Sequence, residues 1–198
     1  MDDNHIVCRK IQFSDVQAVA KLHLQWLNTS FTGKPGLKLL EIYYQQIVRE
    51  QGAVGYVADV RGAVAGYVCG VWDTSHVKRN LLFHGNGKLA FWSLVHVFSH
   101  GFLKTISKRI FQPSTDFQLA GYELRPLVVS PAYQGSGVAR QLINQLIQDA
   151  LYRNYSTIFL KTGKNNLRAQ AFYTKYGFER VDASDDFFYY QLKLERNE

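Results

Sequence analysis

The sequence predicts a single α/β domain, and three observations lead there. Its 198 residues suit one domain with room for a real core. A composition of 46% hydrophobic and 20% charged residues is that of a globular chain, neither disordered nor fibrous. Along the chain, short strand-like runs alternate with longer stretches that carry the helical repeat.

Residues 6–11 alternate loosely and open the domain as a strand. Ser14 and Asp15 then start a helical pattern, in which Val16, Val19, Ala20, Leu22, Leu24 and Leu27 recur at helical spacing. The run from Thr32 to Gly36 breaks it, and residues 37–48 read as a second helix. Residues 54–60 and 64–72 are strand-like and joined at Arg61-Gly62, an imperfect turn signal for an antiparallel hairpin. Residues 88–111 carry a wide apolar helical face with a narrow polar stripe of Ser93, His96, His100, Lys104 and Ser107. Residues 121–129 form a strand that holds Pro126, which lacks the N–H for a ladder bond and belongs at an edge or bulge. The turn-forming run 130–137 leads into the cleanest helix, with Val138, Ala139, Leu142, Ile143, Leu146, Ile147, Ala150 and Leu151 on one face. A strand at 156–161, a helix at 166–176 and a strand at 187–194 complete a strand–helix–strand unit.

Several function classes fall away. No apolar run approaches the roughly 20 residues that span a bilayer, and the longest, 89–98, is interrupted by Ser93 and His96. The start Met1-Asp2-Asp3-Asn4-His5 lacks the basic and apolar regions of a secretory signal. Cys8 and Cys69 lie far apart and form no CxxC pair, which predicts a reducing, cytoplasmic setting. His96 and His100 share a helix face but lack an HExxH glutamate and a third ligand, so no metal is expected. The net charge of +7 is uneven: residues 74–116 hold six basic residues against Asp116 alone. No nucleic-acid-binding motif accompanies that charge, so no nucleic-acid partner is expected.

Strand, glycine-containing loop and amphipathic helix together make an anion site. The first turn of a helix leaves N–H groups unpaired, and its dipole favours negative charge there. The loop is neither GxxxxGK[ST] nor GxGxxG with a later acidic residue, which disfavours triphosphate and dinucleotide sites. The run Leu127-Val128-Val129-Ser130-Pro131-Ala132-Tyr133-Gln134-Gly135-Ser136-Gly137-Val138-Ala139 resembles the acyl-CoA motif of the GNAT superfamily of N-acyltransferases. Its signature, Q/R-x-x-G-x-G/A, is met by Gln134, Gly137 and Ala139. A second element follows in order, with Asn166, Ala169, Phe172, Tyr173, Gly177 and Phe178 at the family's spacing. The likeness is strongest over 120–178, and 74–116 has no counterpart in the minimal pattern.

The resemblance implies one GNAT-like domain over 1–198, of α/β (α+β) class. It would have a mixed, mostly antiparallel central sheet flanked by helices, with 74–116 as a basic helical insertion. It implies acetyl-CoA as acyl donor, its pyrophosphate held by backbone N–H groups of Gln134, Gly135, Ser136, Gly137, Val138 and Ala139. The main chain of Leu127, Val128 and Val129 would pair with the pantetheine arm, and Asn166 would lie near the cofactor. Pro126 would mark the bulge at which the sheet splays open. Tyr173 matches the position whose hydroxyl protonates the departing thiolate, and Glu123 is the candidate base, with Asp73 or a water chain as alternates. Lys161, Lys164 and Arg168 could add charge for the CoA phosphates or simply be solvated.

The implied reaction is direct transfer of an acetyl group to the primary amine of a small molecule, such as an amino sugar, polyamine or amino-acid derivative. A protein N-terminal or lysine amine is the rival acceptor, and a non-catalytic acyl-CoA-binding module is the rival class. The basic insertion is read first as an acceptor-binding lid. A homodimer interface and a membrane-surface contact are the other readings.

Overall fold

The computed structural model describes residues 6–27, 31–49, 52–77 and 121–195. Among them, seven strands form one sheet in the order β1-β2-β3-β4-β5-β7-β6. The strands are β1 (Ile6–Lys10), β2 (Ala53–Val60), β3 (Ala63–Val71), β4 (Tyr122–Val129), β5 (Thr157–Gly163), β6 (Glu179–Ala183) and β7 (Phe187–Lys193). The helices are α1 (Val16–Trp26), α2 (Gly33–Val48), α3 (Val138–Tyr152) and α4 (Leu167–Tyr176). Every strand pair is antiparallel except β4 with β5, which α3 links as a crossover. The sheet is mixed and mostly antiparallel, as expected.

The sheet has a core on each face. α3 packs one face, where Leu142, Ile143, Leu146 and Ala150 meet Val54, Val68, Tyr122, Leu124, Ile158 and Leu160. α1 and α2 cover the other, where Val19, Leu40, Tyr44 and Ile47 meet Val57, Tyr67, Cys69 and Val71. The β2–β3 turn sits at Arg61-Gly62, with φ of 55° and 82°. Two positive φ values suit the right-handed twist of a hairpin, and Asp59 Oδ1 accepts the Gly62 N–H at 2.7 Å.

Two elements differ from expectation. α2 begins at Gly33, inside the run read as a breaker. Pro35 lies in the first turn, where a missing N–H costs no helical bond, and Gly36 already donates to the Thr32 carbonyl at 3.1 Å. β6 had no strand signal, because all five of its residues are exposed on an edge. The expected helix at 88–111, with His96 and His100, lies outside the described residues, as does most of 74–116.

Pro126 is where the sheet opens. Cys69 pairs with Arg125 and Val68 with Leu127, which leaves Pro126 as the extra residue of a bulge in β4. On its other edge β4 pairs with β5 only at Tyr122 with Ile158 and Glu123 with Phe159. Beyond those two pairs the strands part, and the rest of β4 borders an open fork.

Candidate active site

The bulge reverses which side chains of β4 face which helices. Tyr122 and Leu124 lie in the core under α3. After the extra residue, Leu127 and Val129 pack on that same core, while Val128 enters the core under α1 and α2. A strand without the bulge would have put Val128 with Tyr122 instead. Glu123 and Arg125 lie opposite Val71 and Cys69, both members of the α1/α2 core. Their side chains therefore stand on the α1/α2 face, beside the crotch of the fork.

Main-chain polarity follows from the same register. Ser130 donates its N–H to the Ala65 carbonyl at 2.8 Å, toward β3. Alternation turns the polar groups of Val128 toward β3 as well, and those of Val129 and Leu127 into the fork. The Val129 carbonyl does point that way, since Gln134 Nε2 donates to it at 3.2 Å. The N–H groups of Leu127 and Val129 are thus available to an extended guest.

The loop after β4 is tightly wound. Tyr133 N–H donates to the Ser130 carbonyl at 2.9 Å, Gln134 N–H to Pro131 at 3.2 Å, and Ser136 N–H to Tyr133 at 3.4 Å. Ser136 Oγ also donates to the Tyr133 carbonyl, at 2.6 Å. Gly135 and Gly137 adopt φ of 83° and 88°, and a Cβ on either would meet only open space. Glycine is thus needed here for backbone conformation, not to relieve crowding. Gly137 caps α3 without a side-chain bond, and the first turn holds no acidic residue. The first backbone bond onto the Gly137 cap comes from Gln141 N–H, at 3.1 Å from the Gly137 carbonyl. Among the described residues, the N–H groups of Gly135, Gly137, Val138, Ala139 and Arg140 accordingly have no acceptor. That cluster at a helix start fits a diphosphate, whereas the amides of Gln134 and Ser136 are already spent within the loop.

Tyr173 is buried in α4 against Phe172 and Phe178, with ring centroids 5.5 Å away from each, and near Tyr190 at 6.4 Å. Burial pushes its hydroxyl well above the usual tyrosine value, so it keeps its proton at neutral pH. Asn166 is the N-cap of α4, and its Oδ1 accepts the Ala169 N–H at 3.2 Å. Glu123 Oε2 forms an ion pair with Arg125 Nη2 at 2.5 Å. Asp73 lies past the end of β3, where its Oδ1 accepts the His76 N–H at 2.8 Å as the cap of a helical turn. Lys161 and Lys164 sit over Phe187 and Phe188, at 5.2 and 5.4 Å from the ring centroids, and Arg168 is exposed on α4.

Two features of this region escaped the sequence reading. Gln134 acts through its side chain, tying loop to strand, and Arg125 partners the candidate base. A charged pair at i and i+2 on a strand was the available signal for Arg125, because such residues share a face.

Comparison with known proteins points the same way. Residues 106–178 match the model of the acetyltransferase (GNAT) family. N-acetylaspartate synthetase of Danio rerio is 34% identical over 65 residues, 33% of this chain and 23% of that protein. N-alpha-acetyltransferase RimI of Mycobacterium tuberculosis is 35% identical over 60 residues, 30% of this chain and 36% of that protein. The aligned region therefore spans well under half the length of either relative. The structure of paiA N-acetyltransferase of Thermoplasma acidophilum, in complex with coenzyme A, superposes with a TM-score of 0.60 at 13% identity. That superposition covers 96% of this chain and 99% of the other. Over residues 106–178 the chain is thus similar to the GNAT acetyltransferase family, a family whose acyl donor is acetyl-CoA, and it shares the fold of the superposed structure.

Proposed function

We propose that this protein transfers an acetyl group from acetyl-CoA to the primary amine of a small-molecule acceptor by direct attack. The observation that carries this reading is the fork between β4 and β5, which lies beside an α3 start with five unspent N–H groups. Gly135, Gly137, Val138, Ala139 and Arg140 would hold the diphosphate, and Leu127 and Val129 would bond the extended arm as a neighbouring strand does. Acetyl-CoA supplies the thioester. Glu123, at the crotch of the fork, accepts a proton from the acceptor's ammonium, directly or through water, so that nitrogen attacks with its lone pair. Strand N–H groups facing the fork lower the energy of the developing oxyanion. As the carbon–sulfur bond breaks, Tyr173 donates its proton to the sulfur, a role its burial suits because the proton is retained at neutral pH.

A reducing, cytoplasmic setting is part of this reading, on the wide separation of Cys8 and Cys69 in the sequence. Among the described residues no helix is long and apolar enough to cross a membrane. A relative named as an N-alpha-acetyltransferase keeps a protein α-amine as the rival acceptor. The test is release of CoA thiol from acetyl-CoA across a panel of amino sugars, polyamines, amino acids and N-terminal peptides. Turnover of small amines supports the reading, and turnover of peptides alone moves the acceptor to the rival class. Binding of acetyl-CoA without turnover of any amine leaves an acyl-CoA-binding module.

A further inference from the structure

Arg125 is a charged group beside the fork, among the described residues, that the proposed chemistry does not use. It stands on the α1/α2 face of β4, opposite the face that α3 covers. A donor anchored at the start of α3 reaches the fork from the α3 side, which leaves the α1/α2 side for the acceptor. On that side Arg125 sits one residue before the bulge, paired with Glu123, and Tyr43 of α2 lies in electrostatic contact with both. Its side chain is 38% exposed, and Glu123 Oε2 lies against its Nη2. Among the described residues, Nη1 and Nε donate no hydrogen bond. A guanidinium carries five N–H donors in a planar fork, and one edge of this one can still receive a carboxylate in bidentate fashion.

Resting on the acetyl-transfer reading above, we propose that Arg125 is a specificity-determining residue that holds an anionic group of the acceptor. The acceptor class is then a primary amine that carries a carboxylate a few bonds away. Glu123 faces the ammonium and Arg125 faces the carboxylate, so the pair matches both charges of the acceptor. A free amino acid and the acidic first residue of a peptide present this same pair of groups.

The test is CoA-thiol release with matched acceptors that differ only in charge: glycine with glycinamide, aspartate with asparagine, glutamate with glutamine. Peptides that begin with an acidic residue form a separate arm. The wild type is expected to favour the carboxylate member about tenfold or more in kcat/KM, through KM rather than kcat. In Arg125→Gln that preference collapses toward unity, and Arg125→Lys restores part of it. Preference for free amino acids assigns the carboxylate to a small molecule, whereas preference confined to acidic peptides assigns it to a protein terminus. Equal turnover of carboxylate and carboxamide acceptors by the wild type overturns this inference and leaves acetyl transfer standing. An equal loss for both acceptor types in Arg125→Gln overturns it too. If that variant fails to fold, the wild-type comparison alone decides. No turnover of any amine overturns both readings.

Discussion

Gln134 reaches back with its side-chain amide to the main-chain carbonyl of Val129, 3.2 Å away. The bond ties the anion-type loop to the strand edge of the fork, so both halves of the candidate donor site are held in one register. The Gln134 main chain is spent on Pro131 at 3.2 Å, which leaves its side chain as the element that positions the loop.

Removing that tie loosens the site without emptying the core. A net hydrogen bond contributes about 0.5–1.5 kcal/mol, equivalent to about a 2- to 12-fold change in affinity. Gln134→Ala is therefore expected to weaken CoA binding within that range in calorimetry and to leave the melting temperature within a degree or two. Unchanged affinity would remove the positioning role.

Tyr173 separates chemistry from stability. Its hydroxyl makes no hydrogen bond to a described residue, while its ring packs against Phe172, Phe178 and Tyr190. Tyr173→Phe keeps the ring and loses only the proton donor. The expected outcome is a fall in kcat of about 10²-fold or more with KM for acetyl-CoA and the melting temperature preserved. Because burial raises the hydroxyl's pKa, the wild-type rate should show no loss from this acid up to pH values near that of free tyrosine. A fully active Phe variant would sink the acid role.

Asp149 anchors α3 to the sheet. It is buried and accepts from Tyr122 Oη at 2.7 Å, Tyr56 Oη at 3.2 Å and Arg153 Nε at 2.7 Å. The Arg153 guanidinium also lies 3.6 Å over the Trp72 ring, which itself stacks on Tyr122. Removing one partner of such a buried pair typically costs about 3–5 kcal/mol. Asp149→Ala should lower the melting temperature by on the order of 10 °C. Asp149→Asn keeps an acceptor oxygen and should lose less. Equal melting temperatures for wild type and Asp149→Ala would show that the network contributes nothing.

The parts of this site that could be read from sequence are those with a local, backbone-level cause. Gly135 and Gly137 announce positive φ, the face from Val138 to Leu151 announces a helix, and Pro126 cannot sit in a regular ladder. β6 could not be read, since Glu179–Ala183 is exposed throughout and gains its strand form only from pairing with β7. The start of α2 was hidden because Pro35 and Gly36 break a helix interior yet are tolerated in a first turn. Arg125 depends on tertiary context: only the register with β3 shows which face it takes and what stands beside it. Asn166 was placed by its motif, and the structure adds the cap it forms on α4.

His23 gives the fold a pH dependence of known sign. Its Nδ1 lies 2.6 Å from Tyr44 Oη, and Tyr44 in turn donates to Tyr67 Oη at 2.7 Å, which links α1, α2 and β3. Burial lowers the imidazole to about 4 from its ordinary 6.5, so the folded protein holds it neutral. The unfolded chain takes up a proton near pH 6.5, and the folded chain only near 4. Stability from this site is therefore fully present above pH 6.5 and is lost as the pH falls toward 4. At about 1.4 kcal/mol per pKa unit the loss is on the order of 2–3 kcal/mol. Urea unfolding between pH 7 and pH 4.5 should show a steeper decline for wild type than for His23→Gln, whose side chain does not titrate. Parallel declines in the two proteins would assign the acid sensitivity to other groups.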